Sequence, residues 1–321
     1  MRRLPASPGS VKGIPLVLAM TLSLSAAACR QDRGVAAAHP PVPEAASTGL
    51  DAGGVRDGLN RLVVIPSPPR RIVTLAPNAT DTIAALGLGN RLVGVSDFCE
   101  PPPEAGEVRR IGGLLTPDLE VIRALKPDLL VGSTSGNDPT LADQAGALGM
   151  PLFILNAATV DEVLDGISGL SAALGEEPKG TALVADLRAR LDAVARRVAG
   201  RPRPRVLYIV WGEPLVVPGS KAFLTDAIRR AGGDSVTDDA PAAHPTYSVE
   251  AAIARKPEII LTSEYNRADA ERLRRDPAWQ SVPAVARGKV YVVGDALVRP
   301  GPAVVEGIEE MARRIHPDDA P

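Results

Sequence analysis

From Arg70 onward, short apolar runs alternate with segments whose apolar residues recur every three or four positions. "RIVTL", "RLVGVS", "DLLVGS" and "PLFIL" are runs bounded by polar and turn residues, the pattern of buried strands. Between them lie "NATDTIAALGLG", "TPDLEVIRALKP", "LADQAGALGM" and "TVDEVLDGISGLSAALG", which read as helices. Asn78 or Thr80 is the expected cap of the first, and Gly87 or Gly89 its stop. Such alternation predicts a mainly parallel sheet flanked by helices. At Glu176 the pattern changes. Leu183, Leu187, Leu191, Val194 and Val198 recur at helical steps with Arg and Asp between them. That predicts one uninterrupted helix of about seven turns, ended by "GRPRPR". A second series follows: "RVLYIVW" as a strand, "FLTDAIRRAGG" and "TYSVEAAIARKP" as helices, then "EIILTS", "ADAERLRRDPAW", "KVYVVG" and "GPAVVEGIEEMARRI".

The two series share a signature. "LEVIRALKPDLLVGSTS" and "VEAAIARKPEIILTSEY" each read as a helix stopped at Lys-Pro and a strand opening on Asp128 or Glu258. Proline cannot continue the helix and biases its predecessor toward extended backbone. Lys126 and Lys256 are 130 positions apart, and Arg71 of "RIVTL" and Arg205 of "RVLYI" are 134 apart. Two pairs in the same order predict two α/β lobes of like topology, 61–175 and 201–321, joined by a helix at 176–200.

The N-terminus changes this picture only at its edge. Arg2, Arg3 and Lys12 precede a short apolar stretch ending "SLSAAAC", which reads as a cleaved export signal over 1–28. It resembles a bacterial lipoprotein signal, with Cys29 as the lipidated residue, although Ala26 stands where Leu is usual. The Ala-, Pro- and Gly-rich stretch to residue 60 lacks apolar periodicity and reads as a flexible linker with a short strand, "RLVVI", at its end. Apart from Cys29 the only cysteine is Cys99, so a lipidated chain has no internal disulfide. A formal net charge of -2 excludes a broad cationic face for nucleic acid.

"RIVTLAPNATDTIAALGLGNRLVGVSDFCEPPPEAGEVRRIGG", "LEVIRALKPDLLVG", the long helix and "AGGDSV" resemble the helical-backbone substrate-binding proteins of ABC transporters, class III periplasmic binding proteins. Within that class the likeness is to the vitamin B12 binders, with ferric-siderophore and haem binders close by. The resemblance implies two Rossmann-like lobes on a single rigid helix and a bulky metal chelate captured between them. A corrinoid comes first, an iron-siderophore or haem second. It also implies a monomer that hands its ligand to a permease and ATPase, exported and anchored through its lipid. Docking carboxylates of the family transfer to Asp81 in "PNATD" and Asp234 in "AGGD", each aspartate where glutamate is common.

In this topology loops at the carboxyl ends of the strands line the cleft. They offer Phe98, Trp211, Leu215, His244, Tyr247, Tyr265 and Arg299 as ligand-binding candidates. Flat chelates need planar, partly apolar walls with few polar anchors. Phe98 matches an aromatic of the B12 binders, whereas Leu114 or Leu115 stands where they carry tryptophan. His244 is either an ordinary loop histidine or an axial contact to a bound metal, a part Tyr247 can also play for haem. Cys99 reads as a buried or cleft-edge thiol.

Two rival readings are weaker. A zinc or manganese site needs several converging His and carboxylate ligands, but His39 and His316 lie near the chain ends and leave His244 alone. An exported enzyme needs a nucleophile elbow, a phosphate loop or a paired histidine, and none is present. No catalytic residue, cofactor or resident metal is therefore expected.

Overall fold

The computed structural model describes residues 54–65 and 67–317. The expected signal and Cys29 lie outside them, and all described residues fall in one compact unit, Gly49–Pro321. The stretch read as a flexible linker to residue 60 is corrected at its end: β1 (Gly54–Arg56), inside it, pairs antiparallel with β2 (Leu62–Val64), the expected "RLVVI" strand. Asp57 holds the connecting turn: its carboxylate accepts from the backbone N–H groups of Leu59 and Arg61 and from the Arg61 guanidinium.

The first lobe carries β3 (Ile72–Thr74), β4 (Leu92–Val95), β5 (Arg109–Arg110), β6 (Leu129–Ser133) and β7 (Leu152–Leu155) in a parallel sheet of order β5-β4-β3-β6-β7. Helices α1 (Pro77–Ala85), α2 (Leu119–Ala124), α3 (Leu141–Ala147) and α4 (Val160–Ala173) connect and flank it. β3, β6 and β7 are buried along their whole length, as strands covered on both faces must be. The second lobe repeats the plan. β8 (Arg205–Ile209), a hairpin of β9 (Trp211–Gly212) and β10 (Leu215–Val216), β11 (Asp234–Ser235), β12 (Ile259–Ser263) and β13 (Val290–Val293) alternate with α6 (Phe223–Arg230), α7 (Val249–Ala254), α8 (Arg267–Arg275), α9 (Pro283–Ala286) and α10 (Val304–Ile315). Its sheet is parallel, order β11-β8-β12-β13.

Between the lobes runs α5 (Glu177–Val198), 22 residues and about 33 Å long at the usual rise. Val184, Leu187, Leu191 and Val194 form its buried stripe, with Leu183 and Val198 packed at the margin. That stripe joins one hydrophobic cluster containing Ile167 and Leu170 of α4 and Ile308 and Met311 of α10. Gly180 lets α5 close on α4, since a Cβ there would collide with Ser171. Arg190 makes a two-pronged pair with Glu309 of α10 at 2.9 and 2.8 Å. The connector is thus cemented to both lobes through a continuous core.

The repeated signature is a hook. Lys126 and Lys256 adopt left-handed backbone, φ 47° and 49°, directly after α2 and α7. The preceding-proline bias toward extended geometry is overridden here by helix termination. In the first lobe the Arg71 guanidinium donates to the carbonyls of Leu125 and Lys126, and Asp128 accepts from the N–H groups of Arg70 and Arg71. In the second, Arg205 donates to the Lys256 carbonyl and Glu258 accepts from the Arg205 N–H. Each hook locks the end of one helix to the starts of the two strands that it serves.

The expected caps of α1 are corrected. Pro77 occupies its first turn and Ala76 the cap, because proline's missing N–H costs nothing there. Asn78 and Thr80 instead lie buried inside α1, bonded to Ser133 at 2.9 Å and to Thr74 at 2.6 Å.

Candidate functional site

The carboxyl ends of the two parallel sheets meet. Asn78 of α1 donates across to the Pro300 carbonyl at 3.2 Å, and Gly301 packs against the same asparagine. Behind this contact Asp226 of α6 accepts from the Val160 N–H at 3.1 Å, and Arg230 pairs with Asp161 at 2.7 Å. Two cavities open between the lobes. The outer one, about 350 Å³, lies between Ser135, Gly136 and Asn156 of the first lobe and Lys221, Phe223 and His244 of the second. The inner one, about 240 Å³, shares Ser135, Phe223 and His244 with it and reaches Tyr208 and Ser263. Pockets of a few hundred Å³ at strand ends are usual ligand sites.

Large apolar side chains stand out into solvent on the loops after these strand ends. Phe98 follows β4, Leu115 follows β5, Trp211 ends the β8 segment and Tyr265 follows β12; they are 63, 67, 55 and 68% exposed. Of the two leucines of "IGGLL", Leu115 is the one presented. The expected strand "RVLYIVW" is corrected: β8 stops at Ile209, and Trp211 belongs to the β9–β10 hairpin, its indole N–H bonded to the Glu213 carbonyl at 3.0 Å.

The other candidates separate. His244 lines both cavities with much of its surface exposed, and partial desolvation there lowers its pKa. Leu215 is buried in the core of the second lobe beside Ile209 and Trp279, away from the inter-lobe cavities, because the short β10 turns it inward. Tyr247 packs at the edge of that same core. Arg299 meets Asp81 across the lobes at 3.9 Å, and Tyr265 and Glu100 also act on its guanidinium. Burial outweighs Arg299 and raises the Asp81 pKa, with Glu100 adding to the rise. Asp234 is exposed and pairs with Arg203 of its own lobe at 2.8 Å. It lies in register with Arg205, the first residue of β8, at the end of the sheet opposite the cleft. Cys99 is a buried thiol bonded to Ser96 at 3.1 Å.

Sequence reading missed Asp226, whose signal is the recurrence of "TDTI" at Thr80–Ile83 as "TDAI" at Thr225–Ile228. It also missed Tyr208, whose place in an apolar strand reads only as core. Among the described residues no group of three or more His, Cys, Asp or Glu side chains is placed to hold a metal ion.

The periplasmic binding protein family model matches residues 72–297. The chain belongs to that family. It is 31% identical over 252 residues to the vitamin B12-binding protein of Vibrio cholerae serotype O1, covering 78% of this chain and 90% of that protein. The crystal structure of the periplasmic vitamin B12 binding protein BtuF of Vibrio cholerae superposes with a TM-score of 0.70 at 30% identity, over 78% of this chain and 98% of the other. The apo periplasmic heme-binding protein RhuT from Roseiflexus sp. RS-1 gives 0.67 at 26%, over 77% and 97%. With its parallel-sheet lobes and helical connector, the chain is a class III ABC substrate-binding protein of the B12, haem and siderophore type, a binding protein and not an enzyme. The family implies a small-molecule ligand and permease and ATPase partners.

Proposed function

We propose that this family member captures a bulky metal chelate, a corrinoid before an iron-siderophore or haem, and delivers it to an ABC permease. The observation that carries the reading is the exposed apolar rim of Phe98, Leu115, Trp211 and Tyr265 at the strand ends where the lobes meet. Large apolar side chains left in water on loops at the strand ends are what a flat, partly apolar ligand covers, although none of the four lines the two inter-lobe cavities. The likeness to the Vibrio cholerae B12-binding protein favours the corrinoid. Arg299 and His244 supply the polar anchors, while Tyr247 and Leu215 brace the core of the second lobe. Cys29 carries the lipid that keeps the exported monomer at the membrane. Asp81, at the cleft, is the docking carboxylate for an arginine of the permease, which pairs with carboxylates in a bidentate way; Asp234, at the far end of its sheet and held by Arg203, does not share that face.

Absorbance titration with cyanocobalamin, haemin and a ferric siderophore tests the ligand. Saturable one-to-one binding of cyanocobalamin is expected. Truncating an aromatic anchor typically removes 2 kcal/mol or more, so Trp211→Ala should weaken binding at least about thirtyfold. Binding of haemin alone would move the assignment to the second reading. The Asp81→Asn variant should keep ligand binding and fail in reconstituted transport; normal transport would remove the docking assignment.

A further inference from the structure

The outer cavity is lined by hydrogen-bond donors and by no carboxylate. Asn156, just past β7, shows how the donors are left over. Its carbonyl oxygen Oδ1 accepts twice, from the Thr134 hydroxyl at 3.1 Å and from the Ala157 N–H at 2.9 Å. Both lone pairs are then used, and the NH₂ group keeps no partner among the described residues. The Ser135 hydroxyl and the Lys221 ammonium are likewise without a hydrogen bond or ion pair among the described residues. Lys221 is exposed and sits two positions before α6. No aspartate or glutamate lines this cavity, and Lys221 is the one lysine or arginine that does. The inner cavity has neither lysine nor arginine.

The two walls belong to different lobes, Ser135 and Asn156 to the first and Lys221 and His244 to the second. At about 350 Å³ the cavity is at the small end of ligand pockets, and it suits one arm of a bulky chelate. An anionic oxygen group entering here meets an ammonium and uncommitted donors, and no like charge. A cationic arm would meet the ammonium and find no counter-ion. A neutral arm would leave that charge unpaired. We propose that the outer cavity is the subsite for an anionic arm of the ligand, a phosphodiester or a carboxylate, held by Lys221 from one lobe and Asn156 from the other. This rests on the cleft being the chelate site. It deepens that reading, because a corrinoid with its nucleotide loop brings one phosphodiester and haem brings propionates, whereas a cobinamide brings neither.

The test pairs charged and uncharged probes with Lys221→Gln. That variant should melt with the parent, since Lys221 is exposed and bonds to nothing in the described protein, so lost binding is not lost folding. First, dimethyl phosphate, propionate and the uncharged trimethyl phosphate are titrated at neutral pH and followed at the Asn156 side-chain amide by heteronuclear NMR. The two anions should shift that resonance saturably and trimethyl phosphate should not. Lys221→Gln should weaken the anions about fivefold, the upper worth of an exposed ion pair, and added salt should shrink the difference. Second, cyanocobalamin is compared with dicyanocobinamide, and haemin with its dimethyl ester, on parent and variant. A fivefold loss for cyanocobalamin with none for dicyanocobinamide assigns a phosphodiester. The same contrast between haemin and its ester assigns a carboxylate. Equal response to charged and uncharged probes, anion binding unaffected by Lys221→Gln, or equal losses within each chelate pair overturns the proposal. Lys221-dependent anion binding with no chelate bound would leave the subsite standing and overturn the chelate reading. Chelate binding untouched by Lys221→Gln would do the reverse.

Discussion

The two lobes are alike at the ends of their sheets that face away from the cleft and unlike at the ends that face it. Both begin with an Arg hook, a left-handed lysine before proline and a carboxylate that ties adjacent strand starts. At the cleft the first lobe presents Phe98, Leu115 and the half-buried Asp81. The second presents Trp211 on an inserted hairpin, Tyr265 and Arg299, with a polar chamber beneath. The hook closes a fold, and any α/β lobe of this plan needs that closure. The rims meet one ligand from two sides, so they have no reason to match.

The largest test of this contrast is the shared core. Leu187→Ala on α5 should cost about 2–5 kcal/mol and lower one cooperative melting transition of both lobes in calorimetry. Separate melting of two lobes would break the picture of a continuous core. The hooks come next. Arg71→Ala and Arg205→Ala should each cost about 0.5–1.5 kcal/mol in urea unfolding, the net worth of an ordinary hydrogen bond. The loss should be larger for Arg71, which reaches two carbonyls, than for Arg205, which reaches one. Equal losses would show that the hooks do not differ.

The smallest effect is at the rim and depends on pH. Asp81 faces Arg299 and Glu100, and its folded-state pKa lies above the ordinary value of 3.8. A raised carboxyl pKa favours the folded state below the unfolded value and loses that contribution as pH rises through the folded value. The stability difference between the parent and Asp81→Asn should therefore move against the parent as pH rises from about 3.8. A difference independent of pH would show that Asp81 is not desolvated.

The sequence made the hooks and the connector legible because Lys-Pro punctuation and a long apolar stripe are local signals. The rim was legible in part. Phe98, Trp211 and Tyr265 follow apolar runs, and the rule that strand ends line clefts places them. Leu215 could not be placed, because a two-residue strand has no periodicity and its inward turn depends on the Glu213–Pro214 corner. The unbroken apolar run into Trp211 hid the end of β8 for the same reason. Asp234 sits on another two-residue strand, so its position at the far end of the sheet is a fact of register alone. Tyr208 occupies an alternating core position, and only packing shows that its hydroxyl lacks a partner.

A helix cemented into both lobes should hold the two rims around one ligand with little relative motion. Pulsed EPR distances between nitroxides at two exposed sites, Glu107→Cys on the first lobe and Arg287→Cys on the second with Cys29→Ser, measure it directly. One narrow distance distribution is expected, shifting by no more than a few ångströms, roughly the scale of packed elements sliding, when cyanocobalamin is added. A broad or two-peaked distribution that collapses on binding, the mark of a hinge, would contradict it.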